Sequence, residues 1–204
     1  MFITFEGIDG SGKSTQARLL AAHLEKLGHE VILTREPGGS VGAEEIRALV
    51  LEGDPARWSS HTELLLFTAA RRDHLERVIE PGLARGAIVV CDRYVDSTRV
   101  YQGASREDLR RDVDALHALM IKREADLTVL IDMDPQIGLG RALGRGGTED
   151  RFEEFGSAMQ VTMRSAFLSL AEDFANRFIT VDGNRSIEQV ADDVAKRVLE
   201  RLPT

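Results

Sequence analysis

A glycine-rich octapeptide near the N-terminus constrains the fold of this chain more than any other feature. Gly7, Ile8, Asp9, Gly10, Ser11, Gly12, Lys13 and Ser14 fit the pattern G-x-x-x-x-G-K-[ST] without a gap, and Thr15 follows directly. An apolar run at 2–5 precedes the loop, and an amphipathic stretch at 13–27 follows it. The glycines let backbone N–H groups turn inward around phosphate oxygens, and the helix N-terminus adds partial positive charge. In such a loop Lys13 bridges the β- and γ-phosphates of ATP, and the Ser14 hydroxyl holds Mg²⁺.

The rest of the chain has the pattern that such a loop requires. Short apolar runs at 2–5, 31–33, 87–91, 127–131 and 178–181 read as strands. None alternates cleanly between apolar and polar residues, so they are expected to be buried on both faces of a parallel sheet. Between them lie helical patterns at 13–27, 44–51, 62–85, 106–123, 135–145, 157–176 and 187–202. Pro81 marks a break or fresh start in the third, and Leu109, Val113, Leu116 and Met120 share one face of the fourth. In the first, the apolar positions are Leu19, Leu20, Leu24 and Leu27. Repeated strand–helix alternation predicts a doubly wound α/β domain spanning 1–204. The only compositional break is the polar, glycine-rich segment 144–150, a candidate surface hinge.

Composition narrows the partners. The net charge of −8 over 204 residues argues against general nucleic-acid binding, which requires a basic face. Cys91 is the single cysteine, so no internal disulfide can form, and its apolar run makes it a core residue,. No apolar run is long enough to span a membrane, which leaves a cytoplasmic setting as the expectation. The five histidines (His23, His29, His61, His74 and His117) show no metal-ligand clustering and read as surface or partly buried structural residues,.

The apolar run before Asp92 places that carboxylate at the end of a strand neighbouring the loop. Alone it reads as a turn residue or a helix cap. Beside a phosphate loop it becomes a candidate metal-side carboxylate, because ligands of these folds bind at the carboxyl ends of the strands.

Five further segments complete a family pattern: Phe5-Glu6-Gly7 with Asp9, Thr34-Arg35-Glu36-Pro37-Gly38-Gly39, Leu66-Phe67 with Arg71, Asp92-Arg93-Tyr94, and Tyr101-Gln102-Gly103. In this order the chain resembles the bacterial thymidylate kinases over nearly its whole length. The resemblance implies a P-loop NTPase-type five-stranded parallel sheet flanked by helices, a small mobile lid at about 141–153, and a homodimer. It implies transfer of the γ-phosphoryl group of ATP to dTMP. It also gives roles to residues. Arg93, Arg47 and Arg35 are the acceptor-phosphate clamp, for which guanidinium groups suit because they bind phosphate bidentately. Phe67 stacks on the base and Arg71 bonds a base carbonyl; four residues apart, they share a helix face. Without the resemblance, Phe67 would read as core. Tyr101 crowds a ribose 2′-OH, Gln102 contacts the base, and Ser97 and Thr98, one turn before them, are further substrate-binding candidates facing the base. Asp9 contacts the sugar and orients the acceptor near the metal. Glu36 and Pro37 belong to the substrate wall, with a cis bond common between them in the family.

The family keeps a catalytic arginine either in the phosphate loop or in the lid. Here the loop position is Gly10, so the lid arginines Arg145 and Arg151 are the candidates, with Arg141 behind them; such a group is worth ~10³–10⁵ in rate. No general base is required, because a phosphate monoester is already a competent nucleophile. The competing readings are a kinase of another nucleoside monophosphate and a regulatory P-loop ATPase. Guanine-specific switches usually carry an Asn-Lys-x-Asp base reader, and no Asn-Lys pair occurs here. Every phosphoryl-transfer reading requires Lys13, so Lys13→Ala is expected to lower kcat for ATP turnover by ~10²-fold or more; a near-normal kcat in a coupled ADP-release assay would contradict the loop assignment.

Overall fold

The computed structural model describes residues 1–54, 57–103, 109–143 and 157–202. Five strands form one parallel sheet: β1 (Phe2–Glu6), β2 (Val31–Arg35), β3 (Ile88–Asp92), β4 (Leu127–Asp132) and β5 (Phe178–Asp182). Their order is β2-β3-β1-β4-β5. The chain therefore passes from β1 to the edge strand β2, returns inward to β3, and then continues on the other side of β1 through β4 to β5. This reversal opens a crevice at the carboxyl ends of the strands beside β1, where α/β folds bind ligands. All five strands end in a charged residue there: Glu6, Arg35, Asp92, Asp132 and Asp182.

The helices are α1 (Lys13–Lys26), α2 (Val41–Leu51), α3 (Ser60–His74), α4 (Glu80–Ala84), α5 (Val95–Tyr101), α6 (Arg110–Leu116), α7 (Pro135–Leu143), α8 (Ser157–Asp173) and α9 (Ile187–Leu199). Successive strand residues point to opposite faces, and three apolar clusters result, the third joining Leu130 and Phe178 to Met163, Phe167 and Leu170. Ile3, Phe5, Val90, Val129 and Ile131 pack under Leu20 and Leu24 of α1 and Val190, Val194 and Val198 of α9. On the other face Phe2, Val89 and Cys91 meet Leu64, Leu75, Ile79, Val113 and Tyr94. Helix ends are marked by local chemistry. Ser40, Ser59 and Ser186 each accept a backbone N–H at the starts of α2, α3 and α9, and Ser186 with Gln189 forms a reciprocal capping box,.

Several expectations are corrected. β1, β3 and β4 are buried on both faces, but β2 and β5 are only partly so. They are the sheet edges, covered less completely by helices. Leu19 and Leu27 are exposed while Leu20 and Leu24 are buried. The stretch read as one helix at 62–85 is α3, a π-helical turn at Leu75–Ile79, and α4 with Pro81 in its first turn. A second π turn, His117–Ile121, follows α6. Its extra residue per turn rotates the apolar face, so Ile121 is buried and Met120, expected inside, is 45% exposed. α5 was not among the helical patterns; its seven residues are all buried, so no polar face marks it. The hinge segment 144–150, most of the expected lid, and both Arg145 and Arg151 lie outside the described residues.

Below the crevice, Asp96 at the start of α5 is 1% exposed and accepts from Arg99 Nη1 at 2.8 Å and Arg177 Nη1 at 2.7 Å. Thr128 Oγ1, on β4, accepts from the same Arg177 at 2.8 Å. These bonds satisfy charges that would be costly to bury unpaired, and they tie α5 to the middle of the sheet.

Candidate functional site

The phosphate loop leaves β1 and enters α1, and its shape depends on its glycines. Gly7, Gly10 and Gly12 all have positive φ (142°, 78° and 94°), values that side chains disfavour. Gly12 sits at the N-cap of α1 with no side-chain capping bond. The first N–H groups of α1 thus have no side-chain acceptor at this cap, the arrangement that receives anions. Ser11 Oγ is buried and has no hydrogen-bond partner. Lys13 Nζ donates across the loop to the Ile8 carbonyl at 2.8 Å. Burial first, and then the Arg93 charge, push the Lys13 ammonium down to about 8; phosphate oxygens would favour its charged form and raise it again. Thr15 stands in the first turn of α1, its N–H bonded to the Gly12 carbonyl.

One cleft of about 360 Å³ joins the loop to the facing elements. Asp9, Gly10, Gly12, Lys13 and Ser14 line one side. Opposite them stand Arg35, Glu36, Pro37 and Arg47 from the β2–α2 region, Phe67 and Arg71 from α3, and Asp92, Arg93, Ser97, Thr98, Tyr101 and Gln102 from the β3–α5 region. Of the expected site residues, Gly7, Ile8, Ser11 and Thr15 shape the loop without lining the cleft. Ile8 is 1% exposed and packs with Leu130 and Tyr101.

Arg93 occupies the centre. It is one of two non-glycine residues with positive φ (69°) among those described, and its N–H bonds the Phe5 carbonyl at 3.0 Å. Its guanidinium donates to Asp9 Oδ1 and, at 3.0 Å, to Ser97 Oγ. Tyr101 donates its hydroxyl to Asp9 Oδ2 at 2.8 Å, and the Arg93 guanidinium lies 5.1 Å from the Tyr101 ring centre. Burial disfavours the Arg93 charge, but Tyr101, Asp9, Asp92 and Glu6 more than offset this and hold the group firmly ionised. Asp92 Oδ1 is buried without a hydrogen-bond partner.

Arg71 is 4% exposed. It donates to Glu36 Oε2 at 2.7 Å and to Thr98 Oγ1 at 2.9 Å, and lies 5.2 Å from the Tyr94 ring centre. Phe67 is only partly buried and lines the cleft, which removes it from the core. Gln102 Nε2 donates to Glu63 Oε1 at 2.9 Å. Arg47 donates to the Pro37 carbonyl at 2.5 Å, and Arg35 pairs loosely with Glu44 at 3.2 Å. The Glu36–Pro37 bond is cis.

Sequence reasoning missed Tyr94 and Leu51, which also line the cleft, and the carboxylates Glu6 and Glu63 behind it. Glu63 had a signal: it precedes Phe67 and Arg71 by four and eight residues, on the same helix face. His74, expected at the surface or partly buried, is fully buried and bonds Glu36 Oε1 and Thr34 Oγ1. Among the described residues no group of three or more His, Cys, Asp or Glu is placed to hold a metal ion, and no helix is long and apolar enough to cross a membrane.

A doubly wound parallel sheet with this loop at its reversal, facing a wall of arginines, defines a P-loop phosphotransferase. The comparisons with known proteins narrow the class. The thymidylate kinase family model matches residues 5–194. A thymidylate kinase of Ruegeria pomeroyi is 67% identical over 99% of this chain and 96% of its own. One from Dinoroseobacter shibae is 63% identical over 94% and 93%. The solved thymidylate kinase of Ehrlichia chaffeensis superposes with a TM-score of 0.79 at 35% identity, covering 98% of both chains. The chain belongs to the thymidylate kinase family.

Glu36 gives the site a measurable acid limit. Burial raises its carboxyl, but the Arg71 charge and the His74 contact outweigh this and hold it below the ordinary 4.5. A group depressed in the folded state stabilises fully above its unfolded pKa and loses that contribution as pH falls through the folded one. Glu36→Gln is therefore expected to flatten the fall of Tm below about pH 5 relative to the native chain; parallel Tm profiles would contradict this.

Proposed function

We propose that this protein transfers the γ-phosphoryl group of ATP to dTMP, giving dTDP and ADP for dTTP synthesis. The observation that carries the proposal is that one cleft joins the phosphate loop to a wall holding both an aromatic face, Phe67, and a convergent set of guanidinium groups. Phosphoryl transfer needs positioning and charge stabilisation more than covalent chemistry, and this cleft offers both.

In this reading Lys13 and the loop N–H groups, from Gly7 to Thr15, hold the ATP phosphates. Arg93, Arg47 and Arg35 receive the acceptor phosphate. Asp9 bonds the sugar and, through Arg93, keeps the acceptor clamp aimed at the donor. Phe67 stacks on thymine and Arg71 bonds a base carbonyl. Thr98 and Gln102 complete the base wall, and Tyr101 excludes a 2′-hydroxyl. Mg²⁺ would be held by Ser14 and Asp92, whose unpartnered Oδ1 fits a ligand role. Mg²⁺ typically takes one or two carboxylates and completes its shell from phosphates and water. It would neutralise phosphate charge during transfer.

Gly10 supports a catalytic arginine outside the loop. A Cβ at Gly10 would overlap the Gly138 carbonyl of α7, so a side chain has no room at the position some family members give to arginine. Arg145 and Arg151 are the proposed donors of that charge, within a lid at about 141–153 of a single domain, 1–204. A cytoplasmic homodimer completes the reading. Its support is the apolar exposure of Leu65 on α3 and of Leu119 and Met120 on the segment bonded to α3 through Arg72, which a second copy would cover.

The test is ADP release from Mg·ATP with dTMP, dUMP, dCMP, dGMP and UMP in turn, on the native chain and on Arg71→Ala. dTMP is expected to stimulate most and dUMP less, and Arg71→Ala should raise the KM for dTMP by ~10-fold or more while moving that for ATP little. Acceptor-independent turnover, preference for another nucleotide, or equal rises in both KM values would contradict the proposal.

A further inference from the structure

Glu6 closes β1 immediately before the phosphate loop, and its side chain is completely buried. A carboxyl so placed needs hydrogen-bond partners, and it has two, although burial and the nearby Asp96 charge still push it up to about 7. The Tyr94 N–H donates to Oε1 at 2.8 Å, and the Ser97 hydroxyl donates to Oε2 at 2.6 Å. Both partners flank Arg93. Tyr94 is the next residue in the chain, and Ser97 Oγ accepts from Arg93 Nη1 at 3.0 Å. Arg93 itself holds a left-handed backbone conformation, φ 69°, which a residue with a side chain keeps only where its surroundings enforce it.

We propose that Glu6 is a positioning residue for the acceptor phosphate: it fixes the turn and side chain of Arg93 through Tyr94 and Ser97, without touching either substrate. This inference rests on the thymidylate-kinase reading of the cleft and adds to it a residue that none of the expected contacts includes. The geometry forms a directed chain. The Ser97 hydroxyl has one hydrogen, which it gives to Glu6, leaving its lone pairs for the Arg93 N–H. Arg93 then has a fixed base behind it and directs its other nitrogen at Asp9. Glu6 thereby links β1, the entry to the phosphate loop, to the first turn of α5. The donor loop and the acceptor clamp share one anchor.

Glu6→Gln is the variant of choice because it keeps the volume and an acceptor for the Tyr94 N–H. Its amide hydrogens would face Ser97 Oγ and reverse the chain. The KM for dTMP is expected to rise about tenfold, a typical effect of losing one hydrogen bond to a charged group, while the KM for ATP stays within about twofold. Ser97→Ala, a milder change that leaves Glu6 in place, should raise the same constant. The double variant should be no worse than the stronger single one, because both break one chain. A purely structural role would move Tm and both KM values together. An unchanged dTMP KM in Glu6→Gln, equal rises for both substrates, or additive effects in the double variant would overturn the inference. If Glu6→Gln does not fold, Ser97→Ala decides: an unaltered dTMP KM overturns the proposal. Absence of turnover by the native chain on dTMP would overturn the underlying reading and the inference together, a result distinct from native turnover with unaltered variants.

Discussion

The pairing of Asp9 with Arg93 is the interaction on which the rest of the site depends. Asp9 belongs to the phosphate loop, and Arg93 to the turn after β3. Their contact joins the two sides of the cleft. Each is unfavourable without the other: Arg93 pays the cost of burial and an uncommon backbone, and Asp9 places a negative charge within the phosphate loop. Paired, they form a local dipole that Tyr101 extends. The sheet order makes this possible, because β1 and β3 are neighbours and the register sets Phe5 beside Asp92.

A second layer of buried carboxylates holds the polar side chains of the cleft from behind. Glu36 holds Arg71 and Glu63 holds Gln102, while Glu6 holds the turn that carries Arg93. The chain is acidic overall at −8, yet arginines converge at the cleft, where Arg71 pairs with Glu36, Arg35 with Glu44 and Arg93 with Asp9. Such pairs add little net stability, since desolvation offsets attraction. Their value is orientation: a guanidinium fixed from behind loses less freedom when it meets phosphate or a base.

Much of this was legible from sequence. The loop pattern carries its own mechanism, and apolar runs between amphipathic stretches define the parallel sheet. Phe67 and Arg71 were placed on one helix face by their spacing, and they do face the cleft. What sequence could not show follows from the third dimension. α5 is buried on every side, so it has no amphipathic stripe. The π turns at Leu75–Ile79 and His117–Ile121 shift the helical period by one residue, and so Met120 and Ile121 exchange places. Glu6 reads in sequence as a polar residue ending a strand. Its proposed function depends on Tyr94 and Ser97, 88 and 91 residues away, which only the strand pairing brings near.

The central claim is that the two halves of one cleft pass a phosphoryl group directly from ATP to an acceptor monophosphate. The most direct measurement is ³¹P NMR of purified protein with Mg·ATP and dTMP, following all phosphorus species in one sample. The account predicts equal appearance of ADP and dTDP with no inorganic phosphate beyond background. ADP accompanied by inorganic phosphate and unaltered dTMP would contradict it.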